Sequence, residues 1–145
     1  MRRLSDRFKT TLLALTIPAL GAAGCGTTTD VASTASLATP STTVTEAFSG
    51  TLNVNGAVTF NFAATASGAV TAQIKSIAPT STAIIGLALG TWNGVGCQVV
   101  IANDAASASV VVTGATTAAG NLCVRAYDVG KLTSTQTLEV TITHY

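Results

Sequence analysis

Few side chains in this chain could do chemistry, and their spacing limits what that chemistry is. The single histidine, His144, stands second from the end. A serine–histidine–aspartate arrangement is formally open because serine is plentiful, but a frayed terminal histidine would be a poor orienter. Asp104 and Asp128 fall at expected strand ends, the first in a loop IANDAAS (101–107). They could bind Ca2+ together with loop carbonyls; the commoner use of such residues is an Asx turn. Trp92 precedes the turn NGVG and is either a sugar-stacking platform or a rim residue capping the core. Arg125 and Tyr127 share one outer face. Arg125 is expected to pair with Glu139 on the following strand, with ligand contact as its second use.

These groups must be positioned by strands. Apolar residues make up 48% of the chain and charged residues only 9%. Thr, Ser, Ala, Val and Gly dominate, which favours strands and turns over helices. From about residue 43 the sequence alternates in short stretches broken by turn signals. The stretches are TVTEAFSGTL (43–52), AVTFNFA (57–63), AVTAQIKSI (69–77), AIIGLALGTW (83–92), CQVVIA (97–102), SASVVVTG (107–114), NLCVRAYD (121–128) and TQTLEVTIT (135–143). Eight strands starting 10–14 residues apart predict an all-β antiparallel sandwich of jelly-roll-like form. The expected core is Phe48, Val58, Phe60, Phe62, Val70, Ile74, Ile85, Leu87, Leu89, Val99, Ile101, Val110, Val112, Val124, Leu138, Val140 and Ile142. Each large side chain contributes roughly 1.5–3 kcal/mol on burial, and chain ordering cancels most of that sum. With so few aromatics the core is thin, and a cross-link would help.

The amino terminus lies apart from this pattern. MRRLSDRFK is basic, and the uncharged TTLLALTIPALGAAG behind it is too short for a stable membrane span. Residues 1–24 therefore read as a targeting peptide. The small residues Ala22, Ala23 and Gly24 lead into Cys25. This stretch resembles the lipobox of bacterial lipoproteins, with Ala22 where that family prefers Leu. The resemblance implies that the Cys25 thiol is lipidated, that the chain is cut before it, and that membrane lipid is its first partner. An ordinary secretory cleavage near Ala23 or Gly24 is the alternative. Gly26 stands where an Asp would mark inner-membrane retention, so the expected location is the bacterial cell envelope, at the outer membrane of a Gram-negative source. Residues 25–42 then read as the lipidated cysteine and a Ser/Thr-rich tether of roughly 20–25 Å root-mean-square span, and residues 43–145 as the sandwich domain.

With Cys25 lipidated, the odd cysteine count resolves into a Cys97–Cys123 disulfide; two free thiols or a metal site are the alternatives. The bond closes a loop of about 27 residues, worth roughly 3–4 kcal/mol in the chain-entropy account. An oxidising, exported compartment suits it. Alternation raises a difficulty: Cys97 runs with Val99 and Ile101, but Cys123 runs with Arg125 and Tyr127, away from Val124. The bond is expected to join strand ends or to sit outside the packed core.

Residues 118–143, AAGNLCVRAYDVGKLTSTQTLEVTIT, resemble the closing strands of bacterial pre-peptidase C-terminal domains, with Gly120, Val124, Arg125, Ala126 and Tyr127 at matching positions. FSGTLNVNGAVTFNFAATASGAVTAQI (48–74) follows the order of that family's first half. Cys123 replaces an aromatic, and Ala57 and Val58 stand where the family often has Asp. The resemblance implies a non-catalytic β-sandwich module of the kind carried on secreted proteins, often proteases, some of which bind polysaccharide or collagen. Beyond residue 24, three basic residues face five acidic ones, a net charge of −2. That leaves no basic patch for nucleic acid. The expected function is a non-catalytic, lipid-anchored binding or structural module for glycan, envelope polymer or protein, without cofactor. The alternative is a secreted accessory domain or subunit of an extracellular hydrolase or protease.

Overall fold

The computed structural model describes residues 42–145. The targeting peptide, Cys25 and all of the tether except Thr42 lie outside the described residues. The eight expected strands are β1 (Val44–Leu52), β2 (Ala57–Ala64), β3 (Gly68–Ala78), β4 (Ile85–Trp92), β5 (Cys97–Ala106), β6 (Val111–Thr116), β7 (Gly120–Tyr127) and β8 (Gln136–His144). They form two four-stranded sheets, ordered β1-β8-β3-β6 and β2-β7-β4-β5. Every neighbouring pair is antiparallel. Consecutive strands mostly alternate between the sheets, the arrangement of an eight-stranded jelly roll.

Period-two alternation explains the packing. On β8, Leu138, Val140 and Ile142 are buried while Glu139 is exposed. Opposite them, Phe60 and Phe62 of β2 and Leu87 and Leu89 of β4 close the core. Phe48 stacks on Phe60 with ring centroids 5.4 Å apart. Gly50 permits this approach, since a Cβ there would lie 2.9 Å from the Phe60 ring.

Three expectations are corrected. First, β5 runs on to Ala106, so residues 101–106 are strand rather than loop. Second, Val99 and Ile101 are 46% and 42% exposed instead of buried. The strand is the outer edge of its sheet, and a bulge between its pairings Leu89↔Ile101 and Gly90↔Val99 inserts Val100 as an extra residue. Residues 99 and 101 therefore lie on opposite faces, although their numbering alternates in step. Third, Arg125 and Glu139 cannot form a cross-strand pair, because β7 and β8 belong to different sheets.

The same bulge resolves the cysteine difficulty. Gly90 pairs with Val99 on one side and with Cys123 on the other, all on the outer face. Ahead of the bulge, the start of β5 folds over β4: a Cβ on Gly90 would lie 2.1 Å from the Gln98 carbonyl oxygen. This close passage brings Cys97 within bonding reach of Cys123 across the intervening strand, with Cα atoms 5.7 Å apart. The disulfide sits outside the packed core, as one of the two expected placements had it.

Candidate functional site

The outer face of the second sheet carries Arg125 and Tyr127. Both project from β7, and with Val99 they line a shallow hollow of about 210 Å³. Gly86, directly opposite Tyr127 in the register, lets the phenol ring lie flat on β4. A Cβ at Gly86 would come within 2.2 Å of that ring. The Tyr127 hydroxyl donates to the Asp104 carboxylate. That hydrogen bond, helped by partial burial and by the Asp104 charge and opposed by Arg125, raises the phenol above its ordinary pKa. Arg125 is exposed, between Thr59 of β2 and Ala88 of β4.

Trp92 does not join this hollow. The register puts it on the Gly90 face, opposite Cys97, at the far end of β4. It stands six positions along the strand from Gly86, about 20 Å away. The two aromatics singled out from the sequence are both half-buried and do not make one concave patch.

The two aspartates are engaged differently. Asp104 accepts from Tyr127, whereas Asp128 accepts four backbone N–H bonds. One Asp128 oxygen takes Asn55 at 2.8 Å, and the other takes Gly130, Lys131 and Leu132 at 2.8, 2.9 and 3.1 Å. These bonds, the one from Asn55 foremost, hold its pKa below the usual carboxylate value. The carboxylate ties the β2 approach turn to the loop leading into β8 and seats Leu132 in the core. This is the Asx-turn use on an enlarged scale. Among the described residues, no three His, Cys, Asp or Glu side chains gather into a metal-ligand group.

His144 is not frayed. It is buried at 2% exposure. Its Nε2 lies 3.0 Å from the Glu46 carboxylate, and its ring rests 4.9 Å from that of Phe62. It closes the β1–β8 pairing at the register position Val44↔His144. Its position next to the last residue hid this role, although its in-phase spacing with Leu138, Val140 and Ile142 was a usable signal.

A second feature escaped sequence reasoning. At the open edge of the sandwich, between β5 and β6, lies an apolar cleft of about 270 Å³. Val70, Leu89 and Leu122 contribute its apolar interior, Val100 and Ile101 the β5 side, and Gly114 to Thr117 the β6 side. No lining side chain is ionisable. The cleft opens onto exposed apolar surface at Val100, which is 77% accessible. The signal for it was the unbroken run Val99-Val100-Ile101, which violates alternation, and the bare Gly114 facing it. A scan against protein-family models finds no match to this chain, and a search of curated proteins finds no significant relative.

Proposed function

We propose that this chain is a non-catalytic, lipid-anchored bacterial envelope protein whose jelly-roll sandwich acts as a binding or structural module. The observation that carries the reading is the uncharged cleft with its apolar border on the open edge of the sandwich. Contiguous exposed apolar surface of this kind marks places that another molecule covers. The lipobox-like stretch before Cys25 supplies the anchor, and the Cys97–Cys123 bond suits an exported protein. The resemblance to pre-peptidase C-terminal domains points the same way, towards recognition of glycan, envelope polymer or protein.

The test is intact mass of the full chain extracted from membranes of a producing bacterium, beside a Cys25→Ala variant, followed by co-sedimentation with that host's insoluble wall polymer. The expected mature species begins at Cys25, is heavier by lipid and two hydrogens lighter for the disulfide, and is retained by the envelope fraction. A soluble species with an unmodified amino terminus would overturn the anchor. Absence of retention by both the polymer and the envelope proteins would overturn the binding role.

A further inference from the structure

We propose that the end of the sandwich at which the chain enters β1 rests on the lipid surface, with Trp92, Val95 and Tyr145 at headgroup level. The inference rests on the reading of Cys25 as a lipid anchor and names what the anchored domain touches. Strand pairing gathers this end. Val44 pairs with His144, and Thr65 donates its backbone N–H to the Tyr145 oxygen at 2.7 Å. Gly68 pairs with Thr116, Ala64 with Gly120, and Thr91 with Leu122. The turns 65–67, 93–96 and 117–119 therefore sit at the same end as the start of β1 and the finish of β8.

This end is uncharged. Residues 42–45, 65–67, 93–96, 117–119 and 143–145 contain no Asp, Glu, Lys or Arg. Asp104, Arg125, Asp128 and Lys131 lie in the opposite half, where Tyr127 pairs with Ala57 and with Gly86. Lys75 and Glu139 stand beyond the middle of β3 and β8. Glu46 is the exception among the described residues, and its carboxylate lies 3.0 Å from His144 Nε2. The other ring nitrogen lies 3.1 Å from the Tyr145 oxygen, so the polar groups of this strand end are satisfied within the domain. Val95, at the tip of the β4–β5 turn, is 91% accessible. A Cβ on either flanking glycine, Gly94 or Gly96, would meet nothing within 4 Å beyond its chain neighbours, so the tip stands clear of the domain. The chain's one tryptophan, Trp92, and Tyr145 are half-buried at the same end. An aliphatic tip, small uncharged polar residues and Trp and Tyr together suit the headgroup layer, and no carboxylate in the turns opposes anionic lipid. Only residues 26–41 separate Cys25 from Thr42, at most about 60 Å of fully extended chain. The anchor makes the contact intramolecular, so a small apolar tip is enough to hold it. The opposite end, a strand length of about 30 Å away, turns the charges to water.

The experiment uses the full chain, extracted from membranes of its producing bacterium and reconstituted into vesicles of phosphatidylethanolamine and phosphatidylglycerol, with or without bromine on the acyl chains near the headgroup. Flotation reads the anchor, and Trp92 emission reads the contact. Bromination is expected to quench Trp92 at least twofold. Val95→Asp should lose most of that quenching while leaving flotation and the unfolding temperature unchanged, since residue 95 is exposed and the anchor is intact. The double variant Trp92→Phe, Val54→Trp moves the tryptophan to the exposed β1–β2 turn at the opposite end, where bromination should leave emission unchanged. A chain that floats with Trp92 unquenched, or quenched equally at both positions or in Val95→Asp, overturns the docking and leaves the anchor reading intact. A chain that stays in solution overturns the anchor and this inference with it.

Discussion

Gly90→Ala tests the passage of β5 over β4 most directly. The added Cβ would sit 2.1 Å from the Gln98 carbonyl oxygen, 2.7 Å from its carbon and 3.0 Å from Val99 Cα. All three are backbone atoms, so no side chain can swing away. The segment must lift by about 1 Å, against the Cys97–Cys123 bond that holds it down. Overpacking of this kind costs roughly 1–3 kcal/mol or more. Alanine recovers at most about 0.5–1 kcal/mol over glycine through the unfolded chain. The expected net loss is about 2 kcal/mol, or a fall in Tm of roughly 8–16 °C for a domain of this size. Gly114→Ala is the internal comparison. Its Cβ would meet Leu89 and Ile101 side chains at 3.6 and 3.9 Å, ordinary contact distances, so it should be neutral or slightly stabilising. Thermal unfolding by circular dichroism under oxidising conditions reads both. A Gly90→Ala protein within about 0.5 kcal/mol of its parent, the usual size of an innocuous surface change, would refute the argument that β5 crosses over this strand.

Other outcomes follow from the same geometry. Replacing both Cys97 and Cys123 by Ala should remove roughly 3–4 kcal/mol of stability, read as a lower denaturant midpoint with a steeper slope, because the uncrosslinked unfolded chain exposes more surface. Asp128→Asn should lower Tm at neutral pH and flatten the acid limb of the stability profile. The Asp128 carboxyl is held below its unfolded pKa, so its contribution is present above the unfolded value and is lost as pH falls through the folded one. A variant whose acid limb matches the parent would remove Asp128 from that account. His144→Ala opens a cavity against Phe62 and strands Glu46, for about 2 kcal/mol. Hydrogen exchange at the β1–β8 pairing should accelerate first, and uniform acceleration across both sheets would contradict a local role.

Much of the architecture was legible because alternation and turn chemistry agreed. In β2, β3 and β8 most inward residues are apolar, with Gln136 and His144 of β8 the polar exceptions. The turn Asn53–Gly56 before β2 and the small polar break Thr65–Ser67, with Gly68 opening β3, interrupt the pattern cleanly. What was not legible depends on partners remote in sequence. Gln136 is 2% exposed because its side chain accepts from Thr80 N and donates to Ser134. Gln136 runs in phase with Leu138 and Val140, but the local TQTLEV pattern does not show the partners that satisfy a polar side chain there. Strand β4 is buried on both faces, since Tyr127 covers Gly86 and the start of β5 covers Gly90. Its small residues on one side read locally as an unoccupied outer face.

The candidate site was half visible for a related reason. Arg125 and Tyr127 were assigned to one outer face by simple alternation, and β7, a central strand without a bulge, obeys it. Strand β5 does not. A slip of one residue would turn a strand's apolar side chains outward; interior β3 takes one extra residue between Ile74 and Ser76, after which Ile77 is again inward. An edge strand is paired on one side only and can absorb an extra residue at lower cost. That freedom places Cys97 on the outer face, leaves Val100 in solvent and lets the cleft between β5 and β6 stay open. The failure of the period-two reading at Val99–Ile101 and the existence of an apolar edge therefore have one physical cause, the inserted residue at position 100.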